Sequence, residues 1–166
     1  MTMENPTGRR SFLLVRARSW ICALPASSVI ETMRPLAIDP LAHAPRFVAG
    51  LSVVRGEIVP VVSLSAVLGE GGERAEARRL VLVRAGERRM ALLVEDVVGI
   101  EELDEARLDT LPPLLGEALP AEVERLGVLD GRALAVLDAA RLLPEAVFAS
   151  LPSADSLATA LPPPPR

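Results

Sequence analysis

Aromatic side chains are scarce in this 166-residue chain: Phe12, Trp20, Phe47 and Phe148, with no tyrosine. Proteins that hold single-stranded nucleic acid stack its bases on aromatic faces, and there is little here to stack on. Charge of one sign is also lacking. Eighteen basic side chains against twenty-two acidic ones give a formal net charge of −4, which does not gather a polyphosphate partner. The single cysteine, Cys22, excludes an internal disulfide and fits a reducing compartment. The single histidine, His43, has no Cys or second His at ligand spacing, so neither a metal site nor a cofactor is expected. No apolar run reaches the roughly 18–20 residues of a membrane-spanning helix. Residues 9–26 imitate a secretory signal, but Arg16 and Arg18 interrupt its apolar stretch, and the chain reads as cytoplasmic.

Half of the residues are apolar, enough for one compact domain or two small lobes sharing a core. The clearest stretch is Gly50–Leu68, where two apolar runs flank the polar trio Arg55-Gly56-Glu57. Strand, tight turn, strand is the expectation, with Gly56 supplying the positive φ of a short turn. A short helix over about 63–68 follows, with Ser63 or Ser65 as its cap and Gly69 where a C′ glycine belongs. Phe12–Ala17 and Trp20–Leu24 read as a first strand pair, and Leu80–Ala85 with Arg89–Val94 as another hairpin. Val97–Leu103 reads as a strand, and Val128–Leu129 with Ala133–Leu137 as a hairpin around Asp130-Gly131. Asp138 caps a closing helix that ends before Pro144.

The remaining segments are read from their breakers and caps. Ser28 with Glu31 suggests a capping box and one helical turn through Met33. Another helical turn is expected near Pro120–Leu126, and residues 34–46, with three prolines, form a loop. Pro60 argues for an edge strand or a bulge. Residues 1–10 form a flexible lead-in, 69–79 an exposed connector, and 147–166 a Pro-rich disordered tail.

An internal repeat emerges. Val54–Leu64 aligns without a gap on Leu129–Ala139, placing Gly56 on Gly131 and Ser63 on Asp138. Leu14-Val-Arg-Ala matches Leu82-Val-Arg-Ala, and Ser28-Val29 falls near Val97-Val98. Two β-barrels of common design are implied, with few short helices. Lobe 1 covers about 11–70 and lobe 2 about 80–146, with exchange of strands between them open.

The segments Trp20–Pro25 with Val29–Glu31, Pro45–Val62, Met90–Ile100 and Gly127–Asp138, in that order and spacing, resemble the CheW-like domain of bacterial chemotaxis over residues 11–146. The resemblance implies a mainly β fold of two small five-stranded, SH3-like β-barrel lobes, and no catalysis. It implies a non-enzymatic adaptor that couples the cytoplasmic tips of chemoreceptors to the regulatory domain of the histidine kinase CheA. With no receiver or kinase segment beside the domain, a stand-alone coupling protein is expected, recruited to membrane-associated receptor arrays through its partners. Carried over by motif, the protein-binding residues are Val29, Glu31, Gly50 and Arg55, with Gly56 and Glu57 of the same corner. In the family the acid and the arginine are thought to pair. Two positions depart from the pattern: Val53 stands in place of asparagine and Ser63 in place of aspartate. Serine still suits a helix cap, whereas valine offers no side-chain hydrogen bond to brace a turn.

Blander readings stand beside these. Arg55 on its own is an ordinary turn arginine, Gly50 is first a requirement of backbone geometry, and Val29 and Ile30 suit a core. A second functional reading keeps the fold but moves the scaffold to a chemosensory pathway outside taxis, such as motility or development. A remote third, a small hydrolase, would use His43, which has no nucleophile elbow around it, or carboxylates such as Glu95-Asp96 and Glu101-Glu102, which read better as a solvated edge.

Overall fold

Leu13–Val15 and Leu80–Val83 are unbroken apolar runs, and the computed structural model shows why: each strand is buried on both faces. Residues 8–69, 78–110, 123–142 and 149 are described by the structure. The strands are β1 (Arg9–Ala17), β2 (Trp20–Pro25), β3 (Val29–Met33), β4 (Val48–Val54), β5 (Glu57–Ser63) and β6 (Arg79–Ala85). They continue as β7 (Arg88–Val94), β8 (Asp96–Asp104), β9 (Asp109–Thr110), β10 (Val123–Leu129) and β11 (Arg132–Leu137). Two four-residue helices, α1 (Leu64–Val67) and α2 (Ala139–Leu142), close the hairpins β4–β5 and β10–β11.

The strands form two sheets, one of order β3-β6-β7-β5-β4 and one of order β8-β1-β2-β11-β10-β9. We call the first lobe 1 and the second lobe 2. The mainly β, two-lobed class expected from the sequence is the class observed. Among the described residues each sheet is open in its strand order rather than a hydrogen-bonded closed barrel, and lobe 2 gains a sixth, two-residue strand. Each sheet draws on both halves of the chain. The hairpin β6–β7 completes lobe 1, and the hairpin β1–β2 completes lobe 2.

Three apolar clusters hold this together. Val54, Val59, Val61, Leu80, Leu82 and Ala91 fill lobe 1, while Phe12, Leu14, Ala23, Leu134 and Val136 fill lobe 2. The alternate residues of the same strands, among them Leu13, Val15, Val81, Val83 and Leu92, form the largest cluster, shared by the two sheets. Burial on both faces removes the period-2 alternation that a half-exposed strand would show. Cys22 lies in this shared core.

The repeat is realised in the register. Val61 on β5 pairs in parallel with Ala91 on β7, and its counterpart Val136 on β11 pairs in parallel with Ala23 on β2. The β-bulges recur as well. Ile30 is skipped between β3 and β6 as Val98 is skipped between β8 and β1, and Ala49 matches Glu124 in the same way.

Four local expectations change. Residues 29–33 form strand rather than a helical turn; a 3₁₀ turn at Ala26–Ser28 leads directly into β3. β-Branched Val29 is extended, and β3 hydrogen-bonds to β6, so sheet pairing overrides the capping pattern. The helical turn near Pro120–Leu126 is absent where described, since Val123–Leu126 opens β10; residues 111–122 lie outside the described residues. Pro60 is on no edge, because β5 lies between β7 and β4. Its cross-strand neighbour Leu51 exchanges both backbone hydrogen bonds with Asp39 instead, and pairing to β7 begins only at Val61. A proline there leaves no ladder bond unmade. Ser63 stands at the start of α1 without capping it, its hydroxyl facing that of Ser65 at 3.2 Å. Gly69 is left-handed after α1 as expected, with φ 76°. Asp138 caps α2, accepting from the Ala140 amide at 2.9 Å. Of the expected 1–10 lead-in, residues 1–7 lie outside the described residues while Arg9 and Arg10 already belong to β1; the connector over 70–77 and, apart from residue 149, the tail over 147–166 also lie outside them.

Candidate functional site

Val54 and Glu57 are cross-strand partners, so the turn between β4 and β5 is two residues long, Arg55 and Gly56. Both are left-handed, at φ 53° and 80°, the pattern that matches the twist of a tight hairpin. The expected polar trio is therefore a turn of two, with Glu57 already in β5. Glycine adopts this backbone freely and arginine seldom does. The turn aims Arg55 across the open side of lobe 1.

That open side separates the end strands β3 and β4, and among the described residues one ion pair spans it. Arg55 donates from Nε to Glu31 Oε2 at 3.1 Å and from Nη2 to Oε1 at 2.9 Å. The fork-to-fork geometry fixes the direction of both groups. Arg55 remains 73% exposed while Glu31 is 29% exposed. The hydrogen bonds from Arg55, helped by its charge, hold the Glu31 carboxyl below its ordinary range against a smaller opposing effect of desolvation. Exposure makes the pair a weak contributor to stability and a strong determinant of orientation. Glu31 is thus engaged by Arg55 rather than by a helix cap.

Glu57 meets Arg89 of β7 at 3.2 Å, both largely exposed. The sequence reading missed Arg89. It has no motif to mark it, and only the parallel pairing of β5 with β7 brings it to the corner.

Gly50 is buried, and a Cβ there would lie 2.2 Å from the Asp39 carbonyl oxygen at φ 147°. The 34–46 loop passes directly over it, tied by the paired backbone bonds of Asp39 with Leu51 and by Ser52 Oγ donating to the Ala37 carbonyl at 2.8 Å. Ser52 is 2% exposed. Gly50 therefore shapes the site from below by admitting this strap. Val29, half-buried at the start of β3, packs on the shared core. The structure brings Glu31, Arg55, Gly56 and Glu57 to one corner and leaves Val29 half-buried at the start of β3 and Gly50 buried under the strap. Val53 is 54% exposed beside the turn. His43 lies in the strap, and among the described residues no three His, Cys, Asp or Glu side chains are grouped to hold a metal ion. Among them, too, no helix is long and apolar enough to cross a membrane.

A two-lobed sheet frame with an exposed charged corner is the build of a scaffold that meets other proteins, and comparison with known proteins gives the same class. Residues 11–147 match the family model described as the CheW-like domain. The chain belongs to the CheW-like domain family. It is 31% identical over 121 residues to "Protein FrzA" of Myxococcus xanthus, covering 72% of this chain and 74% of that protein. It is 28% identical over 137 residues to the chemotaxis protein CheA of Klebsiella aerogenes, covering 78% of this chain and 20% of that protein. Among solved structures, the scaffolding protein TtCheW of Thermoanaerobacter tengcongensis has the same fold, with a TM-score of 0.74 at 21% identity over 87% of this chain and 93% of that one. The chain is a CheW-like scaffold of chemosensory signalling.

Proposed function

We propose that this scaffold couples chemoreceptors to a CheA-type histidine kinase without catalysing a reaction itself, and that Glu31, Arg55, Gly56 and Glu57 form its contact corner. Val29 and Gly50 support that corner from beneath. The observation that carries the reading is the Arg55–Glu31 fork, exposed on its arginine side and spanning the two end strands of lobe 1. A bidentate pair held by opposite strands is pre-organised, so a partner meeting it has little side-chain entropy left to remove. The adaptor would sit in the cytoplasm and reach receptor arrays through its partners. Contacts of this kind bury on the order of 800 Å² per partner and draw their energy from a few anchors.

The test is calorimetry of the full chain against a CheA regulatory domain and a soluble receptor signalling tip. Arg55→Ala and Glu31→Ala are each expected to weaken at least one of the two complexes about tenfold or more. Full affinity for both partners in both variants overturns the site.

A further inference from the structure

Four of the five strands of lobe 1, β3, β6, β7 and β5, each bring one charged residue of their interior-facing row toward the same end of the sheet. Glu57 shares the parity of the interior residues Val59 and Val61, and Arg84 and Arg89 extend the interior rows of Leu82 and Ala91. Glu31 lies directly across from Leu82, and the turn adds Arg55. In strand order the rim reads Glu31, Arg84, Arg89, Glu57, Arg55. Four of the five are matched in pairs, Arg55 with Glu31 and Arg89 with Glu57. Arg84 is the fifth. It is exposed and has no hydrogen-bond or ion-pair partner among the described residues.

Its position makes that isolation costly. Arg84 stands directly opposite Arg89 across the β6–β7 pair, and like charges facing each other on one sheet face are unfavourable. Arg89 spends part of its charge on Glu57, whereas no described acidic side chain pairs with Arg84. At the equivalent rim of lobe 2 the five positions are Gly99, Arg16, Ile21, Arg132 and Asp130. Arg16 faces the uncharged Ile21, so the crowding of cations belongs to lobe 1.

We infer that Arg84 is a further recognition residue, the open cationic position of the lobe 1 rim, and that it receives a carboxylate from an acidic segment of a partner protein. An incoming acid on Arg84 completes the alternation of sign around the rim and relieves the repulsion with Arg89. The surrounding pairs keep the neighbouring arginines occupied, which directs the acid to Arg84. This rests on the proposed adaptor role only for the identity of the partner.

Two measurements on the full chain test it. In the first, the side-chain Nε–Hε resonances of the arginines are followed by NMR while a short N-acetylated polyglutamate peptide is added at low salt. Arg84 is expected to shift and Arg16, its exposed counterpart in lobe 2, to stay. Arg84→Gln is expected to weaken the peptide about fivefold, the scale of one exposed charge pair, without lowering the melting temperature. In the second, the same variant is titrated with the CheA regulatory domain, where a loss of at least the same size is expected. Equal shifts at Arg16 and Arg84, or unchanged affinity of Arg84→Gln for both probes, overturns the inference. If the kinase domain ignores the wild-type chain while the peptide still perturbs Arg84, the adaptor role falls and the anion-receiving position stands.

Discussion

Lobes 1 and 2 share a backbone and differ at their rims. Both have a two-residue left-handed turn, Arg55-Gly56 in one and Asp130-Gly131 in the other. Both leave a valine exposed before it, Val53 at 54% and Val128 at 76%. Both have a segment crossing the end strand: Asp39 bonds Leu51 in lobe 1, and Asp109 pairs with Leu126 in lobe 2. The charges do not follow. Arg55 and Glu57 are replaced by Asp130 and Arg132, and Glu31 by Gly99, so the fork that spans lobe 1 has no counterpart. Buried positions of a duplicated fold are held by packing, while rim positions are free to carry separate chemistry.

The largest expected contrast lies where the crossing segments touch the end strands. Gly50→Ala drives a Cβ into the Asp39 carbonyl, and denaturant unfolding should show a loss of roughly 2–3 kcal/mol. Gly127→Ala meets only the tip of the Leu108 side chain, at 2.8 Å, and should cost about 1 kcal/mol. Equal losses would mean that the strap yields as readily as a leucine tip.

Next comes the corner. Arg55→Ala should weaken partner binding about tenfold, whereas Asp130→Ala at the twin turn should leave it within about twofold. Equal effects would erase the distinction between the lobes. The pair also sets a pH signature. Glu31 titrates below its ordinary 4.5 when folded, so its contribution is complete above the unfolded pKa and fades as pH falls through the folded one. An NMR titration should place its midpoint below that of the same carboxyl in Arg55→Ala, and coincident midpoints would show the fork to be open in solution.

Smaller effects separate the twin helix starts. Asp138 caps α2 while Ser63 does not cap α1, so Asp138→Ala should cost about 1 kcal/mol and Ser63→Ala under about 0.5 kcal/mol. The smallest contrast is at the exposed valines, where Val53→Thr and Val128→Thr should each shift stability by no more than about 0.5 kcal/mol. A larger loss at Val53 alone would reveal packing against the corner.

The hairpins were legible because their signals are local: Gly56, Gly86 and Gly131 take positive φ where tight turns were expected. Residues 28–33 misled because Ser28 and Glu31 imitate a capping box, while the hydrogen bonds that decide the segment come from β6, far along the chain. Pro60 misled for a similar reason, its compensating partner Asp39 being an irregular residue of the strap. Of the corner, Arg55 and Glu57 stood out in the sequence as charges at a turn. Arg89 and Arg84 had no such mark, since only register places them on the same rim.

Local chemistry alone determined the turns, the apolar runs, the internal repeat and the charged corner at Arg55. Those features depend on backbone preference and side-chain type within a few residues. Tertiary structure alone decided which hairpin completes which lobe, why Gly50 cannot carry a side chain, and that Arg55 meets Glu31 across the open side of lobe 1. Each of these depends on contacts between segments distant in the chain, where packing and hydrogen-bond satisfaction outweigh local propensity.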